Sequence, residues 1–147
     1  MACSVDYRIM LDHPKYQIGL NETQLGFAAP DWLCWLYQDI IGKRQGELHL
    51  QLGSLFSASE AKKLGLIDQV AVDQADLNEQ VRQFAIRILR VPPKPVALTK
   101  QLLRAPYLDY LKANRECDAQ RFIAQVQAEQ TQRDIGQFLE AMKQQKA

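Results

Sequence analysis

The first half of the chain alternates short apolar runs with segments whose apolar positions recur every three or four residues. Short runs rich in β-branched and aromatic residues are typical of strands, and the longer spacing is typical of amphipathic helices. We therefore predict an α/β arrangement with few, short strands. The predicted strands are 7–10, 16–19 and 66–72, and the predicted helices are 30–42, 43–52 and 57–65.

Several residues mark the ends of these predicted helices. Gly42, Gly53 and Gly65 follow the last periodic positions, where helices commonly stop. The run Ser57-Ala58-Ser59-Glu60 has the serine-to-glutamate spacing of a capping box. Gly46 lies inside a predicted helix, where glycine costs about 1 kcal/mol relative to alanine. We therefore expect that helix to be locally loose.

From residue 73 onward the pattern is helical throughout, with a proline-rich break at 91–95. The chain therefore divides into a small α/β part at 1–72 and a helical part at 73–147, which is suited to covering a pocket or to forming oligomers. The predicted helices are 73–90, a helix from Pro95 that ends before Pro106, a long helix at about 107–128, and a last helix from a Thr131 cap to about Gln145.

Composition limits the classes of function. The chain has 147 residues, of which 47% are hydrophobic, and this suits one ordinary domain with a sizeable core. Its net charge of +1 and the lack of a long like-charge run argue against nucleic-acid binding. No apolar run approaches the ~20 residues of a membrane span. Residues 1–10 include Asp6 and Arg8, so they lack the apolar core of a signal peptide.

Three cysteines, Cys3, Cys34 and Cys117, lie far apart without the spacing of a metal site, so we predict no metal ligands. Their number is odd, and we interpret them as reduced thiols of an intracellular protein. The expected compartment is the cytoplasm, or the mitochondrial matrix or a peroxisome if the sequence is a fragment of a eukaryotic enzyme.

The segment 19–26 is the main candidate for chemistry. Glycines bracket a bend there, between a predicted strand and a predicted helix, where α/β proteins commonly bind ligands. Glu22 lies within the bend and has Phe27 and Trp32 as apolar neighbours, so we expect it to be partly desolvated and a better proton acceptor near neutral pH. A turn or capping role is the simpler explanation for a glutamate here, because most such carboxylates do no chemistry.

Six motifs follow one another along the chain: Asp6-Tyr7-Arg8-Ile9-Met10, Ile18-Gly19-Leu20-Asn21-Glu22-Thr23-Gln24-Leu25-Gly26, Ala29-Pro30-Asp31-Trp32-Leu33, Leu50-Gln51-Leu52-Gly53-Ser54-Leu55-Phe56, Gly65-Leu66-Ile67-Asp68-Gln69-Val70 and Leu98-Thr99-Lys100. Together they resemble the mitochondrial-type Δ3,Δ2-enoyl-CoA isomerases of the crotonase superfamily. The resemblance extends over nearly the whole chain but covers only the second half of the family's usual domain. It implies a partial crotonase-type α/β fold with an all-helical C-terminal extension.

The resemblance also implies an activity. In that family one carboxylate takes a proton from C2 of a fatty-acyl-CoA and returns it at C4, which moves the double bond from position 3 to position 2. The motif match assigns this acid/base role to Glu22 and places Asn21, Phe27 and Trp32 at the substrate. Core packing accounts equally well for the two aromatic residues. No cofactor is implied, because CoA is part of the substrate.

Late helices of the superfamily also contact CoA. Phe138 and Lys143 match that region loosely, as an aromatic ring that can stack and a cation that can face phosphate. A core phenylalanine and a surface lysine are the simpler alternative. Both oxyanion donors of the family, worth on the order of 3 kcal/mol each, and most other CoA contacts belong to the first half of its domain. We therefore expect this chain to be weak or inactive alone.

Two other functions remain open. Hydratases of the superfamily use a second glutamate, which also lies in the first half, so that residue cannot separate hydratase from isomerase; the pair Asn21-Glu22 favours isomerase. A non-catalytic, self-associating module is the alternative from another class. In either case the strands would have an uncovered edge and face, and natural proteins cover such surfaces. We therefore predict a homo-oligomer, either a dimer or a trimer.

Overall fold

The computed structural model describes residues 2–144. Over that range the chain is mostly helical with four short strands, which confirms the predicted fold class. The strands are β1 (Ile9–Leu11), β2 (Ile18–Gly19), β3 (Leu55–Phe56) and β4 (Gln69–Ala71). The helices are α1 (Asp31–Ile41), α2 (Lys43–Leu52), α3 (Ala58–Leu64), α4 (Gln74–Leu89), α5 (Pro93–Gln127) and α6 (Glu129–Gln144).

The chain forms two compact units that alternate along the sequence. The first unit comprises the chain up to Ile18 together with Phe56–Tyr110. The second unit comprises Gly19–Leu55 together with the chain from Leu111 onward. The predicted division at residue 72 cuts the sequence once, whereas each observed unit takes residues from both sides of that point. The roles predicted for segments 1–72 and 73–147 stay predictions.

The first unit is built on a parallel pair of strands. In the register of β1 and β4, Met10 lies opposite Val70. Just before β1, the backbone N–H of Arg8 donates to Asp68 Oδ2 at 2.7 Å, and the Arg8 guanidinium approaches the same oxygen at 3.5 Å. Parallel pairing needs a long crossover connection. Here residues 12–68 connect β1 to β4.

Helices cover this pair of strands. The capping box of α3 is present as predicted, with Ser57 accepting from the Glu60 N–H and the Glu60 side chain accepting from the Ser57 N–H. Behind it, α3 buries Ala58 and Ala61. Helix α4 packs on both strands, and its Phe84 ring stacks on Tyr7 with centroids 4.2 Å apart.

In the second unit, α1 and α2 pack against each other, and Gly46 lies buried at their contact. A methyl group at Gly46 would lie 2.5 Å from Gln38 Cγ and 2.9 Å from Gln38 Cα. Gly46 therefore has a packing role, and the expected looseness of α2 stays a prediction. The glycine lets the two helices approach closely, which explains why a residue with low helix propensity lies there.

One strand was not predicted. The residues of β3 follow the end of α2, and β3 pairs with β2. Gly19 makes this pairing close, because a methyl group there would lie 2.1 Å from the Ser54 carbonyl oxygen. A two-residue strand carries too little periodicity to be recognised in a sequence.

The predicted helix end before Pro106 is wrong, because α5 is continuous through that residue. A proline removes one helical hydrogen bond and leaves the carbonyl four residues earlier without its N–H partner. Pro106 and Leu102 are both exposed, so water can satisfy that carbonyl.

The start of the last helix also differs from the prediction. Helix α6 begins at Glu129, so Thr131 lies inside the helix instead of capping it. Thr131 is buried, with 5% of its surface exposed. The predicted end of this helix at Gln145 lies outside the described residues.

Candidate active site

Glu22 opens a short 3-10 helix, Glu22–Leu25, which we call the Glu22 turn. The turn ends at Gly26, whose φ of 84° lies in the left-handed region that favours glycine. The N–H of Gly26 donates to the Thr23 carbonyl at 3.3 Å, and the N–H of Phe27 donates to the Glu22 carbonyl at 3.2 Å. These two bonds close the turn and fix the backbone that carries the Glu22 side chain.

Two side chains of the Glu22 turn bind the C-terminal end of α2. Thr23 Oγ1 donates to the Leu50 carbonyl at 3.0 Å, and Gln24 Nε2 donates to the Leu52 carbonyl at 3.1 Å. The last four carbonyls of a helix have no partner within it, so these bonds satisfy acceptors that would otherwise need water. The end of α2 thereby holds one side of the turn.

Side chains from α5 and α6 hold the segment that follows the turn. Gln125 of α5 accepts from the Ala28 N–H through its Oε1 at 2.9 Å. Thr131 of α6 donates from its Oγ1 to the Gly26 carbonyl at 3.0 Å. Three helices of the second unit therefore fix the backbone at and just after Glu22.

Glu22 lines a small cavity of about 150 Å³, which we call the Glu22 cavity. Its carboxylate oxygen Oε2 is buried and has no hydrogen-bond partner among the described residues. Buried polar atoms are nearly always paired, so an unpaired carboxylate oxygen calls for an explanation such as a catalytic role. The other residues that line the cavity are Thr23, Ala28, Ala29, Cys34, Leu50 and Gln51.

Cys34 lies on the wall of this cavity, in the first turn of α1, and its Sγ contacts the Ala29 carbonyl at 3.5 Å. Burial raises the pKa of the Cys34 thiol above its ordinary value, and the negative charges of Asp31 and Glu22 raise it further. The thiol is therefore protonated at neutral pH, and a protonated thiol is a poor nucleophile. Cys34 is therefore a neutral residue on the cavity wall, and the pKa of its thiol depends in part on the charge of Glu22.

The two aromatic residues predicted near Glu22 belong to the same unit. Phe27 is half-buried and meets the ring of Phe122 edge to face, with centroids 5.6 Å apart and planes at 86°. Trp32 is half-buried in the first turn of α1. Neither is among the described residues that line the Glu22 cavity. Their contact with the acyl chain stays a prediction.

The remaining predicted residues are found at two places. Asn21 is half-buried and immediately precedes the Glu22 turn, without a side-chain capping bond. Phe138 and Lys143 both lie on α6, the first half-buried and the second exposed. Lys143 Nζ pairs with Glu140 at 2.8 Å, an exposed pair of a kind that contributes little to stability. Their contact with CoA stays a prediction.

Three residues at this site were not predicted from the sequence. Cys34 was interpreted only as a reduced thiol, although its place in the first turn of a helix after the bend brings it close to Glu22. Thr131 was interpreted as a cap, and Gln125 was not singled out. Both of these hydrogen-bond the segment after the turn from about a hundred residues away, so no local pattern indicates them.

Two other classes of site were sought in the part of the chain that the structure describes. No group of three or more His, Cys, Asp or Glu side chains is arranged to hold a metal ion there. None of the helices in that part is both long and apolar enough to cross a membrane.

Residues 1–146 match a family model described as enoyl-CoA hydratase/isomerase. The chain is 40% identical to "Enoyl-CoA delta isomerase 1, mitochondrial" of Mus musculus over 146 residues, which are 99% of this chain and 50% of that protein. It is 37% identical to the Homo sapiens protein of the same name over 150 residues, covering 99% of this chain and 48% of that protein. The crystal structure of human mitochondrial delta3-delta2-enoyl-CoA isomerase is similar with a TM-score of 0.89 at 36% identity, over 99% of this chain and 56% of that one. The chain thus spans about half the length of these relatives.

Proposed function

Because the chain belongs to the enoyl-CoA hydratase/isomerase family, we propose that it carries the acid/base part of a Δ3,Δ2-enoyl-CoA isomerase site, with Glu22 as the group that moves the proton. Two observations on one residue support this most directly: Glu22 lines the Glu22 cavity, and its buried Oε2 has no hydrogen-bond partner among the described residues. A structural glutamate would be expected to pair that oxygen. A proton-transfer group must instead leave it free for the substrate.

The reaction needs one base that reaches two carbons of the substrate. Glu22 would take a proton from C2 of a 3-enoyl thioester, and the negative charge would move to the thioester oxygen. Return of the same proton to C4 leaves the double bond between C2 and C3. A cavity of about 150 Å³ resembles those that admit a group as large as benzene. The Glu22 cavity therefore suits the reacting carbons, whereas a long acyl tail would extend beyond it.

Binding of the substrate can be tested at Cys34, which shares the cavity with Glu22. Hexanoyl-CoA, a saturated thioester that cannot isomerise, is expected to slow alkylation of Cys34 by iodoacetamide because it fills the cavity. Exposed Cys117 is the reference thiol in the same chain. Alkylation at each cysteine is measured by peptide mass spectrometry over time.

Two controls make the result specific. Adenosine 3′,5′-bisphosphate, which carries the nucleotide end of CoA without the acyl group, should leave the Cys34 rate unchanged. Glu22→Gln in the absence of ligand should speed the reaction, because loss of a nearby negative charge lowers the pKa of the thiol. If millimolar hexanoyl-CoA gives no protection of Cys34 relative to Cys117, the cavity is not the acyl site.

We also propose that the chain self-associates, and exposed apolar surface on the first unit supports this. Its helices expose large side chains, such as Leu89 at 80% and Leu103 at 71%. Leu103 also lines a cavity of about 550 Å³ together with Phe84 and Val96. Contiguous apolar surface of this kind is unusual on soluble monomers.

Light scattering is expected to return two or three times the mass of one chain at micromolar concentration, and to move toward a single mass on dilution. Leu103→Glu, which places a charge on the exposed surface, should shift the equilibrium toward the monomer. Gln83→Glu on the outer face of α4 adds the same charge and is the control. A compact monomer at all concentrations would contradict this proposal. The predicted compartment stays a prediction; the mouse and human relatives are called mitochondrial.

A further inference from the structure

Thr131 is a buried polar residue on α6, with 5% of its surface exposed. Its hydroxyl donates to the Gly26 carbonyl at 3.0 Å. A buried hydroxyl is stable only when it is hydrogen-bonded, and a bond shielded from water is harder to replace than an exposed one. The bond between α6 and Gly26 is part-buried, so water should replace it less readily than the exposed side-chain contacts.

The position of the bonded carbonyl gives this contact its significance. The carbonyl of Gly26 and the N–H of Phe27 belong to the same peptide unit, which is planar and moves as one body. That N–H donates to the Glu22 carbonyl at 3.2 Å. Rotation of this peptide unit would break the bond to Glu22 together with the bond from Thr131. The Thr131 hydroxyl thus holds the far side of a peptide unit whose N–H bonds the Glu22 carbonyl.

Packing around Gly26 points the same way. Asp134, one turn after Thr131 on α6, lies so close that a methyl group at Gly26 would be 2.7 Å from its Oδ2. Residues three apart on a helix lie on one face. This face of α6 therefore meets the Gly26 peptide with a hydrogen bond and a tight steric contact together.

We infer that Thr131 is a positioning residue for Glu22, acting through the Gly26–Phe27 peptide. The inference rests on the proposed role of Glu22, but its geometry does not involve the substrate. Neither the motif match nor the family comparison assigns a role to Thr131. The other contacts with this segment, from Gln125, Thr23 and Gln24, are exposed, so water can replace them more readily.

The test removes the hydroxyl while keeping the shape of the side chain. In Thr131→Val, the exchange rate of the Phe27 amide hydrogen should rise about tenfold, as expected from the loss of one hydrogen bond of ordinary strength. The ¹³C resonance of the Glu22 carboxylate, assigned by Glu22→Gln, should broaden or shift as the turn samples other positions. Thr131→Ser retains the donor and should restore both signals.

The Leu66 amide provides the matched reference. It donates to the Ala61 carbonyl at 2.9 Å, a bond within the first unit that involves neither Glu22 nor Thr131. Equal acceleration at Leu66 and Phe27 would mean general destabilisation and would overturn the inference, as would an unchanged Glu22 resonance in Thr131→Val. If Thr131→Val does not fold, Thr131→Ala replaces it. Alanine lacks both the hydroxyl and the γ-methyl group of threonine and adds no new group. The amide exchange and the Glu22 resonance are then interpreted in the same way.

These measurements contain no thioester, so they separate the inference from the proposed function. A loosened Glu22 turn in Thr131→Val, without any hexanoyl-CoA protection of Cys34, would retain the positioning role and reject the function. Protection of Cys34 with an unaffected turn in Thr131→Val would do the reverse.

Discussion

The 147-residue chain by itself is expected to isomerise a 3-enoyl-CoA at least about 10⁴-fold more slowly than a complete member of the family. The family resemblance places both oxyanion donors in the half of the domain that these residues do not cover. Each such donor contributes about 10²- to 10³-fold to turnover, and Glu22 cannot replace them because it acts on the proton and not on the enolate oxygen. The rate is followed through the ultraviolet absorbance of the conjugated 2-enoyl thioester.

Joining the chain to the half of the family's domain that it does not cover turns this expectation into a test of Glu22. A chimera of the first half of the Mus musculus relative with this chain should isomerise the substrate, because the chain covers the other half of that protein. Glu22→Gln in the chimera should lower kcat by about 10²- to 10⁴-fold, the usual contribution of a general acid/base. Glu116→Gln, an exposed change of equal charge on α5, is the control.

Two outcomes would contradict this account. Fast turnover by the isolated chain that Glu22→Gln abolishes would mean that the chain supplies its own oxyanion donors. A chimera that hydrates 2-enoyl-CoA, seen as loss of conjugated absorbance, without isomerising 3-enoyl-CoA would assign the site to the hydratase branch.

Gly19→Ala is expected to lower the free energy of unfolding by about 3 kcal/mol or more, the upper range for overpacking. The new methyl group would lie 2.1 Å from the Ser54 carbonyl oxygen and 3.2 Å from Leu55 Cα. Both are backbone atoms, which cannot rotate away as the end of a side chain can. Either β2 or β3 must therefore move, and β2 leads directly into the Glu22 turn. Urea unfolding followed by circular dichroism measures the change.

Gly136→Ala is the matched control for this substitution. It adds the same methyl group on α6 at a point where no heavy atom beyond the local helix backbone lies within 4 Å. Alanine has the higher helix propensity, so stability should rise by about 1 kcal/mol. Similar effects of the two substitutions would show that the contact between β2 and β3 is loose, and would remove the steric explanation for Gly19.

Local signals in the sequence predicted most of the fold. Helix α2 has the predicted bounds, and α3 has the predicted capping box, because each depends on residues a few positions apart. The errors occur at residues whose local structure depends on contacts outside the local sequence. Pro106 predicts a break, but α5 continues through it, and Thr131 resembles a cap, but α6 begins two residues earlier so that the hydroxyl reaches Gly26.

The candidate site divides in the same way. The bracketed bend and the motif match point to Glu22, which lines a cavity and has a buried, unpaired Oε2 among the described residues. Side chains of α5 and α6 hydrogen-bond the segment after the turn, and no local pattern in either helix indicates these bonds. The low helix propensity of Gly46 predicts looseness. Its close contact with Gln38 gives a tertiary reason for a glycine at that position.

The parallel pairing of β1 with β4 also sets an order of events during synthesis. The backbone N–H of Arg8 bonds to Asp68, 60 residues later in the chain. Ribosomes add about 5–20 residues per second, so β1 leaves the ribosome on the order of several seconds before its partner exists. Until then its edge is free to pair with other nascent chains. The pair of β1 and β4 therefore cannot form until β4 has been made, and a chaperone that shields β1 would act within that interval.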